Sequence, residues 1–426
     1  MKIRKLQLKN IGVFDDETIE FQPCPAKDKA EIHIFTGQNG SGKTTVLSVL
    51  ASIFDGRANS ENKVFGLAKR FRKDKSKPHI RIYFEDKSAY DFTESITFES
   101  KTNNNLLTTY QNSTFIFNEL YRFSFAAFAF SGYRQIESET VQANYLPKNF
   151  DPLSQSLEFI KDYGKEGEIT INQLVANNIS NRALSKEDGS LEESKRYEAV
   201  INAIESFIKD ITDYEIKFVL KRSPNELKLK MHGEELDFDV LPDGLRSLIS
   251  WIADLLGRVD LLKWQDDLPI NEKNLILLLD EIEVHLHPAW QRKVLPVVQK
   301  LFKNAQIFVS THSPFVVNSV DDAWVYELNV NDGKAKVREK NLTKTTDSVQ
   351  TTLEEVFEVP QIFGYEVQKD LDRFYELRGK IKNNGGKADK EFKEIAKRLL
   401  KKSEKQNSVE LQSIVAFELK QLKYEL

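Results

Sequence analysis

IHIFTGQNGSGKTTVLSVL, residues 32–50, passes from an apolar strand pattern through a glycine-rich turn into an apolar helical run. The turn itself, Gly37-Gln38-Asn39-Gly40-Ser41-Gly42-Lys43-Thr44, fits the spacing GxxxxGK[ST], and Thr45 carries it into the helix. Glycines let backbone amides curl around phosphate oxygens, and the N-terminus of the following helix faces the anion. Lys43 supplies a point charge for the β- and γ-phosphates, and the Thr44 hydroxyl is a ligand for Mg²⁺. Such a match arises by chance in roughly 1–2% of chains this long. The strand before it and the helix after it make a phosphate-binding loop the expected reading, and ATP with Mg²⁺ the expected ligands.

Working outward, IRKLQL, ETIEF and EIHIF read as short strands leading into the turn. Downstream, LILLLDE (residues 275–281) is apolar on both faces, the pattern of a strand buried between layers of an α/β sheet. Asp280 at its end suits a Mg²⁺ ligand, and Glu281 is placed to orient or deprotonate an attacking water. One helix later, QIFVS leads into Ser310-Thr311-His312-Ser313-Pro314, where His312 at a strand end suits contact with a γ-phosphate.

Between these landmarks, residues 136–212 read as a helical and loop-like insertion. DPLSQSLEFIKDY and LEESKRYEAVINAIESFIKDI are its clearer helices, and no heptad is sustained. YEIKFVL and ELKLKM then read as two strands around a Ser-Pro-Asn turn. The expected organisation is a mixed α/β head with an antiparallel lobe. Residues 1–135 form its N-terminal part with the phosphate loop, 136–212 the insertion and 213–335 its C-terminal part. Residues 345–426 form a Lys-rich helical tail.

The bulk numbers exclude several classes. The 426 residues carry 61 basic and 65 acidic side chains, a formal net charge of −4, so contact with DNA or RNA must come from local patches. Residues 69–79 form one such patch. The other lies between Leu377 and Gln406, where eleven Lys/Arg face four Asp/Glu. A single cysteine, Cys24, rules out an internal disulfide and a Cys-rich zinc site, and fits a reducing cytoplasmic setting. MKIRKLQLKNIGVF has no apolar core of signal-peptide length, and no stretch reads as spanning a membrane. His285 and His287, near Glu283, invite a metal reading, since His-x-His can chelate; the stronger reading comes from the resemblance given below, which implies that this segment contacts the other subunit.

Taken together, the phosphate loop, LPDGLRS, LLLDE and STHS occur in the order of an ABC-type ATPase head. The chain resembles the RecF, SMC and OLD group of AAA-type ATPases, with DEIEVHLHP and VSTHSPFVV matching that group's Walker B and switch-histidine regions. This resemblance implies that Glu281 and His312 serve catalysis, and that Asp243 and Gly244 lie in a signature loop offered to the γ-phosphate of an opposite subunit. ATP would then be sandwiched in a head-to-tail homodimer. Gln135, in SGYRQ, falls where the group has a Mg²⁺-sensing residue, and Lys9, Asn10 and Phe14 fall near the nucleotide base. Pro242 stands where the signature carries a serine, which bears on hydrolysis more than on binding.

OLD-type relatives carry a metal-dependent nuclease after the head. Here the remaining chain lacks its strand pattern, and Asp370 and Asp372 sit in a helical stretch, so no nuclease is expected. LEEVFEVPQIFGYEVQKDLDRFYELRGKI instead resembles the tail of PtuA-type ATPases of Septu and retron-linked anti-phage systems. That resemblance implies a separate HNH-type nuclease partner docked on the tail. A RecF- or SMC-like DNA-handling ATPase without such a partner is the alternative.

Overall fold

The computed structural model describes residues 2–26, 28–54, 79–85, 89–92, 123–133, 136–142, 144–148, 150–159, 161, 167–357, 363–384 and 389–421. Among them the chain divides into two compact units, Met1–Thr352 and Leu353–Leu426.

The first unit is organised by three sheets. Strands β1 (Ile3–Ile11), β2 (Phe14–Glu20), β3 (Glu31–Gly37), β4 (His79–Phe84), β5 (Ala89–Phe92) and β6 (Ala126–Ser131) come first in the chain. After the insertion follow β7 (Ile216–Arg222), β8 (Asn225–Met231), β9 (Glu234–Leu236), β10 (Leu275–Asp280), β11 (Gln306–Ser310), β12 (Trp324–Asn331) and β13 (Lys334–Leu342). The central sheet has the order β13-β12-β3-β11-β10-β6. It is parallel from β12 to β6, with β13 antiparallel at the edge. The order β2-β1-β4-β5 makes the antiparallel lobe, and β7-β8-β9 a third small sheet. This is the P-loop ATPase head expected from the sequence.

Continuous apolar runs explain the centre. Every residue of β11, and of β10 up to Leu279, is buried, as a strand covered by layers on both faces requires. Helix α1 (Lys43–Phe54) covers one face with Val46, Leu47, Leu50 and Phe54, which join a core shared with Phe35, Leu278 and Phe308. Truncating Leu50 to Ala there costs about 2–5 kcal/mol through lost transfer energy and a cavity. In β1 a register shift between Ile3 and Lys5 lets Ile3, Leu6 and Leu8 all face inward, although their spacing is not strictly alternating.

The insertion holds α2 (Ile171–Glu187), capped by the Thr170 hydroxyl on the Gln173 amide, and α3 (Leu191–Thr212). Here the sequence expectation is corrected. The described first part of DPLSQSLEFIKDY, residues 151–159, is not a regular helix: residues 152–157 are a run of turns, with Arg258 Nη1 donating to the Pro152 and Ser154 carbonyls at 3.1 and 2.7 Å. Helix α4 (Asp243–Leu261) is buried around most of its circumference and carries a buried charge cluster. Asp254 accepts from Arg258 Nε at 2.7 Å and from Lys161 Nζ at 2.6 Å. Helix α5 (Pro288–Leu301), the short α6 (Pro314–Val317) and α7 (Val349–Glu355) follow. Strands β12 and β13 were not read in the sequence, because β13 is too polar to show an apolar period.

In the second unit, α8 (Tyr365–Asn384), α9 (Asp389–Lys405) and α10 (Val409–Gln421) share their own core. Phe374 stacks on Phe392 at 4.7 Å, with Leu371, Leu399, Val415 and Leu419 around them. Asp370 accepts from Arg398 and Asp372 from Gln368, so both carboxylates are engaged on a helix.

Candidate functional site: a phosphate-binding loop at the sheet edge

The C-terminal ends of β3, β10 and β11 bring three separate sequence segments together. Gly37 closes β3 with φ +136°, and a Cβ there would lie 2.3 Å from the Leu328 carbonyl oxygen, so no other residue fits. Gly42 has φ +100° and packs against the ring of Phe14, which an added Cβ would approach to 2.8 Å. Phe14 is fully buried, so it floors the loop and is not available to stack on a base. This corrects the expectation for Phe14. Gln38, Asn39 and Gly40 are exposed at the loop's crest, and Thr45 is half-buried on α1.

Lys43 Nζ donates to the Gly37 and Gln38 carbonyls at 2.8 and 3.0 Å, so its ammonium crosses the mouth of the loop. Burial lowers its pKa, and the negative charges of Glu281, Asp280 and Glu283 oppose that shift. Among the described residues the buried Ser41 hydroxyl has no hydrogen-bond partner. Amides in the first turn of a helix lack intrahelical acceptors. An orphan hydroxyl, a lysine and the N-terminal turn of α1 are the donor set a polyphosphate needs, so the residues fit that ligand.

Thr44 and Asp280 meet across the strand ends. Thr44 Oγ1 lies 3.1 Å from both carboxylate oxygens of Asp280. The Ser310 hydroxyl also hydrogen-bonds Asp280. Burial pushes the Asp280 pKa up, and the two hydroxyls hold it back. Hard oxygen donors on a loop beside phosphates are the kind of set Mg²⁺ takes, usually with waters retained.

Glu281 has φ +50°, in the left-handed region, and its amide donates to the Ser310 carbonyl at 3.1 Å and hydroxyl at 2.9 Å. A non-glycine residue there costs about 1–3 kcal/mol and persists only when its surroundings fix it. Tyr133 is 64% exposed, and the charge of nearby Glu281 raises its phenol's pKa. His312 follows β11 and is exposed at the surface; partial desolvation of its ring and the charge of Lys43 lower its pKa, and Asp280 opposes that shift.

The signature segment opens α4. Pro242 is the N-cap of α4 and offers no side-chain cap. Asp243 is exposed and accepts from Arg246 at 2.7 Å. Gly244 is buried: a Cβ would lie 2.6 Å from the His285 carbonyl. Among the described residues no hydrogen bond joins Asp243 or Gly244 to the loop around Lys43. Gln135 lies outside the described residues, as do residues 69–78 of the first basic run. His287 caps α5, its Nδ1 accepting from the Ala289 amide at 3.2 Å, and His285 meets Tyr133 edge-on at 6.1 Å. The sequence places Ser41 in the phosphate-binding loop, but gives no role to Ser310 and names Glu283 only beside His285 and His287. Of the latter two, only Glu283 had a local signal, in the Asp-Glu-Ile-Glu spacing.

Fold and loop together define a P-loop ATPase head. Residues 32–318 match the family described as "AAA domain, putative AbiEii toxin, Type IV TA system", and the chain belongs to that family. A probable ATPase of retron Ec83 from Escherichia coli is 32% identical over 168 residues, 39% of this chain and 29% of that protein. A probable ATPase of retron Vc95 from Vibrio cholerae serotype O1 biovar El Tor is 24% identical over 394 residues, 78% of this chain and 75% of that protein. Septu protein PtuA of Bacillus thuringiensis is 28% identical over 152 residues, 35% of this chain and 38% of that protein. The chain thus spans less than a third of the Ec83 relative and under two fifths of PtuA. An SMC head solved with the C-terminal winged-helix domain of ScpA has a TM-score of 0.47 at 14% identity, over 80% of this chain and 98% of that one. No helix among the described residues is long and apolar enough to cross a membrane.

Proposed function

We propose that this chain binds and hydrolyses ATP with Mg²⁺ as one half of a head-to-tail homodimer, and that the cycle regulates a separate HNH-type nuclease in a cytoplasmic anti-phage defence complex. The observation that carries the ATPase reading is the convergence of Lys43, Thr44, Asp280, Glu281 and His312 at one edge of the sheet. Support for the defence setting is the similarity to retron ATPases and to PtuA.

In this reading Lys43 exchanges the Gly37 and Gln38 carbonyls for phosphate oxygens, and Ser41 with the α1 amides completes the cradle. Thr44 and Asp280 hold Mg²⁺, which when bound neutralises charge on the β- and γ-phosphates. Glu281, fixed by Ser310, orients the attacking water and accepts its proton, while the His312 imidazole donates toward the γ-phosphate. Asp243 and the first turn of α4 serve the ATP of the opposite subunit.

Lys43→Ala should abolish ATP binding, and Glu281→Gln should accumulate ATP-bound dimer; wild-type affinity in the Lys43 variant would overturn the site. Tagged Glu281→Gln chain, purified from its native host with ATP, tests the setting by mass spectrometry. A stoichiometric HNH nuclease supports the defence complex. Recovery of only the chain with DNA would replace it with a DNA-handling ATPase.

A further inference from the structure

The turn that carries His312 is held from two sides by the segment after β10. Glu283 Oε1 accepts the His312 backbone N–H at 2.6 Å. Thr311 Oγ1 accepts the Ser313 amide at 3.0 Å. From the other side, the Ser313 hydroxyl donates to Gln291 Oε1 at 2.6 Å, while Gln291 Nε2 donates to the Leu286 carbonyl at 2.9 Å. The Ser313 hydroxyl also caps α6, accepting from the Phe315 amide at 3.1 Å.

Glu283 is an odd residue to find there. It sits two positions from Glu281, within Coulombic reach of it, and its Oε2 is buried with no hydrogen-bond partner among the described residues. A carboxylate half withdrawn from water is retained at a cost unless its bonds do something. Its one short charge-assisted bond goes to the main chain of His312, and such bonds are the strong ones. The imidazole and Glu281 are therefore set by one stretch of chain, Asp280 to Glu283.

We propose that Glu283 is a positioning residue for ATP hydrolysis: it fixes the backbone of His312, and through it the imidazole, relative to Glu281 without touching nucleotide. The proposal rests on the role given to His312 above. It predicts that loss of Glu283 acts on turnover, not on binding, and acts only through His312.

The test is steady-state ATP hydrolysis with Mg²⁺ by the full chain and by Glu283→Ala, Glu283→Gln, His312→Ala and the double Glu283→Ala/His312→Ala variant. Thermal melting of each identifies any that fail to fold. Glu283→Ala should lower kcat by about ten-fold or more with KM changed less than about three-fold. Glu283→Gln, which keeps an oxygen for the His312 amide and is the gentler change to folding, should recover much of that loss. In the His312→Ala background, Glu283→Ala should add less than about two-fold, the sign of residues acting as one unit. A loss of the same size in both backgrounds overturns the proposal, as does a rise in KM at unchanged kcat, or Glu283→Gln as slow as the alanine variant. Should His312→Ala alone turn over at the wild-type rate, the role of the imidazole fails, and the proposal falls with it by a distinguishable route.

Discussion

Gly132 packs so closely on Glu281 that a Cβ on the glycine would lie 2.1 Å from the Glu281 carbonyl oxygen. The Gly132 amide donates to the Asp280 carbonyl at 2.9 Å, and its own carbonyl accepts from the Ser247 hydroxyl on α4 at 3.2 Å. Gly132 thus lies between the helix that begins at Asp243 and the strained turn that begins at Glu281. Gly244 makes a second such approach, to the His285 carbonyl.

Gly132→Ala must therefore displace the Glu281 backbone, since no contact that short survives. A 1 Å misplacement of a catalytic group can cost about 100-fold. The expected outcome is a fall in kcat for ATP hydrolysis of about ten-fold or more, with ATP affinity retained because the loop around Lys43 is not touched. Parallel measurement of kcat and of ATP binding on the purified variant checks this.

Ser310 anchors both members of the acidic pair: its hydroxyl bonds the Asp280 carboxylate and accepts the Glu281 amide. Hydrolysis should stop when EDTA removes Mg²⁺ and return when it is restored. In Ser310→Ala the Mg²⁺ concentration for half-maximal hydrolysis should rise by about ten-fold, the usual effect of losing a partner that orients a metal ligand. A Mg²⁺ titration of both proteins reads it.

Acid should destabilise the head through Glu31 and His33. Burial raises the Glu31 pKa, but the hydrogen bond from His33 and the Arg4 guanidinium outweigh it and hold it at about 2. Burial lowers the pKa of His33, which is fully enclosed and bonded to Glu31 at 2.8 Å and to Tyr326 at 3.2 Å. Both groups bind protons more readily in the unfolded chain, so their contribution is complete above about pH 6.5 and falls as pH drops. Glu31 loses about 3 kcal/mol between its ordinary value and about 2. Urea unfolding from about pH 7 down to about pH 3 should show this decline, with a shallower slope below pH 4.5 in Glu31→Gln.

Removing one member of the buried cluster on α4 should be costly. Asp254 and Lys161 side chains are each 1% exposed and Arg258 is 0% exposed. Asp254→Ala removes the carboxylate that both cations share, leaving Arg258 with Glu168 at 3.6 Å, a change worth about 3–5 kcal/mol. Denaturant unfolding should show that loss, and hydrogen exchange should rise at residues 151–161, which Arg258 and Lys161 tie to the helix.

Much of the head was legible in the sequence because its signals are local. The Gly37–Thr44 spacing, the apolar run ending at Asp280 and the strand before His312 each declare an element and its end within a few residues. Other elements hid for physical reasons. Strand β13 is an edge strand whose polar residues show no apolar period, and residues 152–157 have helical composition but are held as turns by Arg258 from another helix. Phe14 looked like a surface aromatic near a nucleotide, yet its ring is enclosed beneath Gly42.

The sequence by itself determined that a glycine-rich loop joins a strand to a helix, and that acids and a histidine end two later strands, since backbone permissiveness and hydrophobic period are written residue by residue. Only the tertiary structure decided that Thr44 meets Asp280 across 236 positions, that Ser310 holds the acidic pair, and that Glu283 grips the His312 turn. Those pairings depend on parallel registers between strands far apart in the chain, and on glycines whose missing Cβ atoms matter only once a second segment has come to lie against them.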